Sequence, residues 1–156
     1  MLASRTRRIA IRAAIPGDLD SIEAIEDRSF TADRFSRAAL KRLISAQTAA
    51  VLVASTGASV TGYAAVLFRK GARVARLYSI AVDPAARGQG VAPALIAAAL
   101  RTARGRGVTC LRLEVRASNK AGLSLYDRAG FTFLERRPGY YNDGEDAVRL
   151  EKRLRP

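Results

Sequence analysis

Apolar residues recur along the chain in two rhythms, one helical and one alternating. Leu19, Ile22, Ile25 and Phe30 keep roughly helical spacing behind Asp18, which offers an N-cap, so a helix is predicted over Leu19 to Ser29. Ahead of it Ile9 to Ile15 is β-rich and ends at Pro16-Gly17. A second helix is predicted after Ser36, with Ala39, Leu40, Leu43 and Ile44 as its apolar stripe. Ala50 to Ala54 and Val60 to Arg69 read as an antiparallel pair around Thr56-Gly57. Val74 to Val82 reads as a further strand, entered through Lys70-Gly71 and stopped by Asp83-Pro84. Gly90 to Arg104 is an alanine-rich helix with Leu95, Ile96 and Leu100 on its buried side; Pro93 is tolerated because it lies in the first turn. Cys110 to Val115 is a strand, Lys120 to Arg128 a helix ended by Gly130, and Phe131 to Glu135 and Ala147 to Lys152 are two more strands. Strands followed by an alternation of helix and strand predict a mixed α/β fold, one domain over residues 1–156 with 1–7 expected to be disordered.

The stretch from Leu43 to Phe68 carries no charge, which raises the question of a membrane. Ser45-Ala46-Gln47-Thr48 and Ser55-Thr56-Gly57-Ala58-Ser59 cut it into apolar runs far below the ~18 residues a span requires. It reads as a strand, a turn and a strand, and no membrane partner is expected.

Composition narrows the chemistry. Histidine is absent and Cys110 is the only cysteine among 156 residues, which excludes a Ser-His-Asp triad, a Cys-His pair, a CxxC redox site and a Cys/His zinc site. Metal held by carboxylates alone stays open, and no metal ligand is assigned. The 27 lysines and arginines outnumber 14 acidic residues, for a net charge of +13. That surplus concentrates anions of any kind, yet all but Lys41, Lys70, Lys120 and Lys152 are arginines set among abundant alanine, as a GC-rich genome produces unselected. A lone cysteine and a basic Met1 to Arg8 without the apolar core of a signal peptide predict a cytoplasmic protein.

The most informative segment runs from Ile80 to Ala92: a strand that stops, a loop Arg87-Gly88-Gln89-Gly90, and a helix N-terminus. Unpaired N–H groups and the positive dipole end there suit a pyrophosphate, and glycines at 88 and 90 permit close approach. A P-loop is excluded by the missing GxxxxGK[ST], and a dinucleotide fingerprint fails because Pro93 stands where its third glycine belongs.

Together with its neighbours this segment resembles the GNAT superfamily of acetyl-CoA-dependent N-acetyltransferases, whose pattern Q/R-x-x-G-x-G/A is met by Arg87, Gly90 and Ala92. Leu113-Glu114-Val115-Arg116, Ser118-Asn119, Leu125-Tyr126, Ala129-Gly130-Phe131, Tyr140-Tyr141 and Gly144-Glu145-Asp146-Ala147 are similar to the bacterial branch that acetylates ribosomal-protein alanine. The resemblance implies a mostly antiparallel central sheet flanked by helices, in which strand Val74 to Val82 splays from strand Cys110 to Val115. It further implies that the backbone of Ile80, Ala81 and Val82 pairs with pantetheine. Arg87, Gly88, Gln89, Gly90, Val91 and Ala92 would hold the pyrophosphate, and Asn119 would touch pantetheine, a role compatible with capping the helix from Lys120.

Aminolysis of a thioester needs a proton acceptor for the amine and a donor for the departing thiolate. In a chain without histidine a carboxylate and a phenol are among the few remaining types. The resemblance points to Glu114 as base and Tyr126 as acid. Alternation places Cys110, Arg112, Glu114 and Arg116 on one strand face, so an ion pair of Glu114 with Arg112 or Arg116 is the plain structural alternative, as core packing is for Tyr126. Cys110 lies ~13 Å from Glu114 along the strand and is expected to be a buried, inert thiol.

An N-terminal α-amine, with a pKa of about 7.7–8.0, is about one-tenth neutral at pH 7, whereas lysine near 10.4 is almost wholly charged. A carboxylate base therefore favours a protein or peptide N-terminus as acceptor over lysine. A small-molecule amine is the alternative substrate. The segments expected to set that choice are Glu26 to Phe35 and Pro138 to Asp146; the first lacks the tryptophan that the ribosomal-protein branch tends to carry. A basic nucleic-acid-binding module is the rival of another class. It is disfavoured because the aromatics fall at core-like positions instead of interleaving with basic clusters.

Overall fold

The computed structural model describes residues 8–30 and 34–155; the expectation for 1–7 lies outside them. Seven strands among the described residues form one sheet in the order β1-β2-β3-β4-β5-β7-β6. They are β1 Ile9–Ala13, β2 Ala49–Thr56, β3 Ser59–Leu67, β4 Val74–Val82, β5 Cys110–Arg116, β6 Thr132–Arg137 and β7 Ala147–Arg153. The helices are α1 Leu19–Ser29, α2 Arg37–Ser45, α3 Val91–Gly105 and α4 Lys120–Arg128. Every neighbouring pair of strands is antiparallel except β4 with β5. The expected mixed α/β fold is the one observed. None of the described helices is long and apolar enough to cross a membrane.

Two local expectations change. Asp18 precedes α1 but does not cap it with its side chain. Its carboxylate instead accepts the Ile15 N–H at 2.8 Å and holds both terminal nitrogens of Arg12, at 2.7 and 2.8 Å. That arrangement ties the turn Pro16–Asp18 back to the extended Ile15 and to Arg12 on β1. The uncharged stretch from Leu43 opens as the last turn of α2, because the apolar stripe of that helix continues through Leu43 and Ile44 into the core. Ser36 does cap α2, its hydroxyl accepting the Ala39 N–H at 3.1 Å.

Helices lie on both faces of the sheet. α1 and α2 bury Ile22, Ile25 and Leu40 against Val53 and Tyr63, and α3 and α4 bury Leu95, Ile96 and Tyr126 against Val66, Leu111 and Leu113. Gly62 on β3 sits directly beneath α3: a side chain there would meet Val91 at 3.0 Å and Leu95 at 3.1 Å. Its lack of a side chain lets the N-terminus of α3 settle onto the sheet.

One irregularity shapes the centre. The β3–β4 register steps from Ala65 opposite Ser79 to Val66 opposite Leu77, so Tyr78 is an extra residue, a β-bulge. Before it, Ala75 and Leu77 face α3; after it, Ile80 keeps that side while Ala81 joins the α1–α2 core. Tyr78 itself is left half-exposed.

Candidate active site

β4 and β5 pair in parallel only at Val74, Ala75 and Arg76, opposite Cys110, Leu111 and Arg112. Beyond Arg76 the strands diverge, and the edges of both present backbone donors and acceptors to the gap. A cavity of about 580 Å³ occupies it, lined by Leu77 to Ile80 and Leu113 to Arg116 from the two strands, with Glu26, Phe35, Asn119, Tyr126, Tyr141 and Asp143 around them. The expected splay is therefore present. Both segments expected to set the acceptor contribute to the lining, although residues 31–33 of the first lie outside the described part.

At the tip of β4, Asp83 ends the strand and caps a short turn by accepting the Ala85 N–H at 3.1 Å. Gly88 and Gly90 follow with φ of 79° and 85°, the left-handed region that disfavours other residues, and α3 starts at Val91. Gly88, Gln89 and Gly90 are exposed, so their N–H groups and the helix dipole meet solvent. This loop fits an anion. The side chain of Arg87 is exposed and makes no ion pair among the described residues. Asn119 caps α4, its Oδ1 accepting the Gly122 N–H at 2.9 Å, and it also lines the cavity.

Glu114 and Tyr126 reach the same opening from opposite faces of the sheet. Leu113 and Val115 point into the α3–α4 core, which puts Glu114 on the other face, whereas Tyr126 belongs to that core. The Glu114 side chain is only 6% exposed. Arg76 Nε donates to Oε2 at 2.9 Å and Arg149 Nε to Oε1 at 3.2 Å. The alternative ion pairs with Arg112 or Arg116 do not form, because residues two apart on a strand are roughly 6.6 Å apart while a directly opposed residue is nearer. Arg149 is that opposed residue in the β5–β7 register. Arg112 pairs with Glu151, and Arg116 with Asp143 and Glu145.

Tyr126 packs edge-on against Phe131, with ring centroids 5.7 Å apart. Burial, reinforced by Tyr141, pushes its phenol up to about 12, so it keeps its proton throughout the ordinary working range. Cys110 is buried, and burial raises its thiol. Its burial is the one expected from the sequence.

The sequence reading reached Glu26 only as the start of a segment expected to set the acceptor and gave it no role of its own. It completes the stripe Leu19, Ile22 and Glu26 on α1 and is fully buried. Tyr63 donates its hydroxyl to Oε1 of Glu26, Ser79 lies 2.9 Å from the Tyr63 oxygen, and the Phe35 N–H donates to Oε2 at 3.1 Å. Burial raises the Glu26 carboxyl above the usual carboxylate range. Its helical register with apolar neighbours was the available signal. Its partners come from β3, β4 and the segment after α1, which no spacing reveals. Farther along α1, Arg28 pairs with Asp83 at 2.6 Å and ties the end of that helix to the tip of β4.

Residues 19–131 match the acetyltransferase (GNAT) family. The chain is 46% identical over 77 residues to the [ribosomal protein bS18]-alanine N-acetyltransferase of Escherichia coli, covering 47% of this chain and 52% of that protein. The chain thus matches about half the length of the curated bS18 relatives. With the N-alpha-acetyltransferase RimI of Mycobacterium tuberculosis it shares 31% identity over 155 residues, 97% of this chain and 96% of that one. The crystal structure of the Escherichia coli ribosomal-protein-S18-alanine N-acetyltransferase superposes with a TM-score of 0.85 at 29% identity, covering 96% of each chain. A divergent β4–β5 pair, a glycine loop leading into α3 and these matches along most of the chain have one conclusion: the protein belongs to the GNAT acetyltransferase family.

Proposed function

We propose that the protein transfers an acetyl group from acetyl-CoA to the α-amine of a protein or peptide N-terminus, by direct attack in a ternary complex. The observation that carries this reading is the meeting of Glu114 and Tyr126 at one through-sheet opening from opposite faces. An amine arriving on the Glu114 face and a thiolate departing on the Tyr126 face would each find a proton-transfer partner on its own side.

The residues suit acetyl-CoA. The unpaired β4 edge from Ile80 to Val82 offers amide partners for pantetheine, and the N–H groups of Gly88 to Ala92 offer an anion site; Pro93 has none to give. Bound there, acetyl-CoA supplies the thioester carbonyl and the leaving sulfur. Glu114 takes the proton of the incoming ammonium. A carboxylate has about four lone-pair sites, and the two arginines occupy one on each oxygen, which leaves acceptor capacity toward the cavity. Tyr126, protonated and without a hydrogen-bond partner among the described residues, gives its proton to the departing sulfur and is reprotonated by the second proton that the nitrogen sheds as the amide forms.

The acceptor class rests on the weak base and on the relatives, one named as an alanine N-acetyltransferase of ribosomal protein bS18 and another as an N-alpha-acetyltransferase. A screen of CoA release from acetyl-CoA across peptide N-termini and small amines tests it. Peptides are expected to be turned over at the free α-amine, with N-terminally blocked peptides inert. Turnover of polyamines or amino acids alone would reassign the acceptor to small molecules.

A further inference from the structure

Over the paired ends of β4 and β5, a second cavity of about 460 Å³ shares Glu114 with the first and is lined by Leu67, Arg69, Arg76, Arg112, Glu114 and Arg149 among others. Glu114 borders both cavities, so the second begins where the proposed acceptor amine would sit. Four arginines and one carboxylate line it; Arg76 and Arg149 are paired with Glu114, Arg149 also with Glu135, and Arg112 with Glu151, which leaves Arg69 as the lining arginine without an ion pair among the described residues. Those ion pairs leave donors over. Arg112 uses only its Nε, on Glu151, which leaves both terminal nitrogens. Arginine forks match carboxylates in a bidentate way.

The spacing fits a peptide. Arg112 precedes Glu114 by two residues on β5, roughly 6.6 Å along the strand, and an extended acceptor advances by about 3.3 Å per residue. With its amine at Glu114, its third residue lies level with Arg112. Nucleic acid fits less well, since single strands use exposed aromatic faces. Phe68, the one aromatic in the lining, lies beneath the guanidinium of Arg106, 4.3 Å from the ring centroid.

We propose that this arginine-lined groove is the subsite for the residues following the acetylated terminus, and that it selects acidic side chains at the second to fourth positions. The proposal rests on the reading of a peptide N-terminus as acceptor. Hexapeptides beginning with alanine and carrying Asp or Glu at positions two to four are compared with their Asn or Gln counterparts and with Lys versions, by kcat/KM for CoA release. Charge-assisted hydrogen bonds of this kind predict an advantage of about tenfold or more for the acidic peptides, expressed in KM and shrinking as salt rises. The acidic-to-amide ratio should fall toward one in Arg112→Gln and in Arg69→Gln, and Arg69→Glu should shift preference toward the Lys peptides. Arg69 lies in the loop after β3, so its variants test the idea even if Arg112→Gln fails to fold. Equal rates on acidic and amide peptides overturn the groove's role and leave terminal acetylation standing. Turnover of small amines with no peptide removes both readings. Competition by a single-stranded RNA without acid-versus-amide discrimination reassigns the groove to nucleic acid and overturns the proposal.

Discussion

The two walls of the cleft are built from different materials. The wall formed by the β4 edge and the loop into α3 offers backbone: unpaired strand amides, two glycines in left-handed conformations and the first N–H groups of a helix. The Glu114 side of the cleft offers side chains drawn from distant parts of the chain, such as Arg76, Glu114 and Arg149, and Tyr140, whose hydroxyl accepts from Arg76 at 2.9 Å. A backbone wall can recognise a constant ligand with almost any side chains, because every peptide unit has the same donor and acceptor. A side-chain wall can change its ligand by substitution. A family that keeps one acyl donor and varies its acceptor is suited by this division.

The sharpest way to break the comparison is to remove a single oxygen between the walls. Tyr126→Phe is expected to lower kcat by roughly 10²- to 10⁴-fold while the KM for acetyl-CoA stays near that of the parent. Unchanged turnover, in an assay limited by chemistry, would reduce Tyr126 to its packing against Phe131.

Glu114→Gln comes next, with a deficit of about 10²-fold or more near pH 6. If the carboxylate deprotonates an α-ammonium, that deficit shrinks toward pH 9.5, as the free amine, with its pKa of about 7.7–8.0, becomes abundant. A constant deficit across the profile would make Glu114 a positioning residue, and a variant as fast as the parent would leave it only an anchor for Arg76 and Arg149.

On the backbone wall, Gly90→Val forces a β-branched residue to φ of 85°, a strain on the order of 1–3 kcal/mol, and places methyl groups at the glycine loop. CoA binding measured by calorimetry should weaken by about tenfold or more. A folded variant that binds CoA as tightly as the parent would move the pyrophosphate elsewhere.

The smallest effect concerns Glu26. Burial raises its carboxyl in the folded state, so the folded protein holds a proton that the unfolded chain releases near its ordinary value of about 4.3. Its contribution to stability is therefore greatest below that value, falls as pH rises through the raised folded value, and then levels off. Glu26→Gln should remove this component. Denaturation curves should show parent stability minus variant stability falling from about pH 5 to about pH 7.5; a constant difference would place the titration on another group.

Much of the fold was legible because local rules sufficed. The spacing of Leu19, Ile22 and Ile25, the caps at Ser36 and Asn119, and the breaks at Asp83-Pro84 and Gly130 act within a few residues. α1, β4 and α4 accordingly fall where their periodicity placed them. The glycine loop was legible for the same reason, since left-handed geometry is written into residue type. Asp18 was misread because a cap and an ion pair use the same carboxylate, and Arg12 reaches it from β1.

The sequence alone therefore determined the elements, the absence of histidine chemistry and the backbone wall, all consequences of short-range sterics, periodicity and composition. Tertiary structure alone decided which arginines hold Glu114, that Glu26 is buried beneath Tyr63, and that the bulge at Tyr78 reverses the faces of β4. Those facts depend on strand register and on which edge meets which. Register is set by the summed burial of both faces of the sheet, a property of the whole core that no short stretch of residues contains.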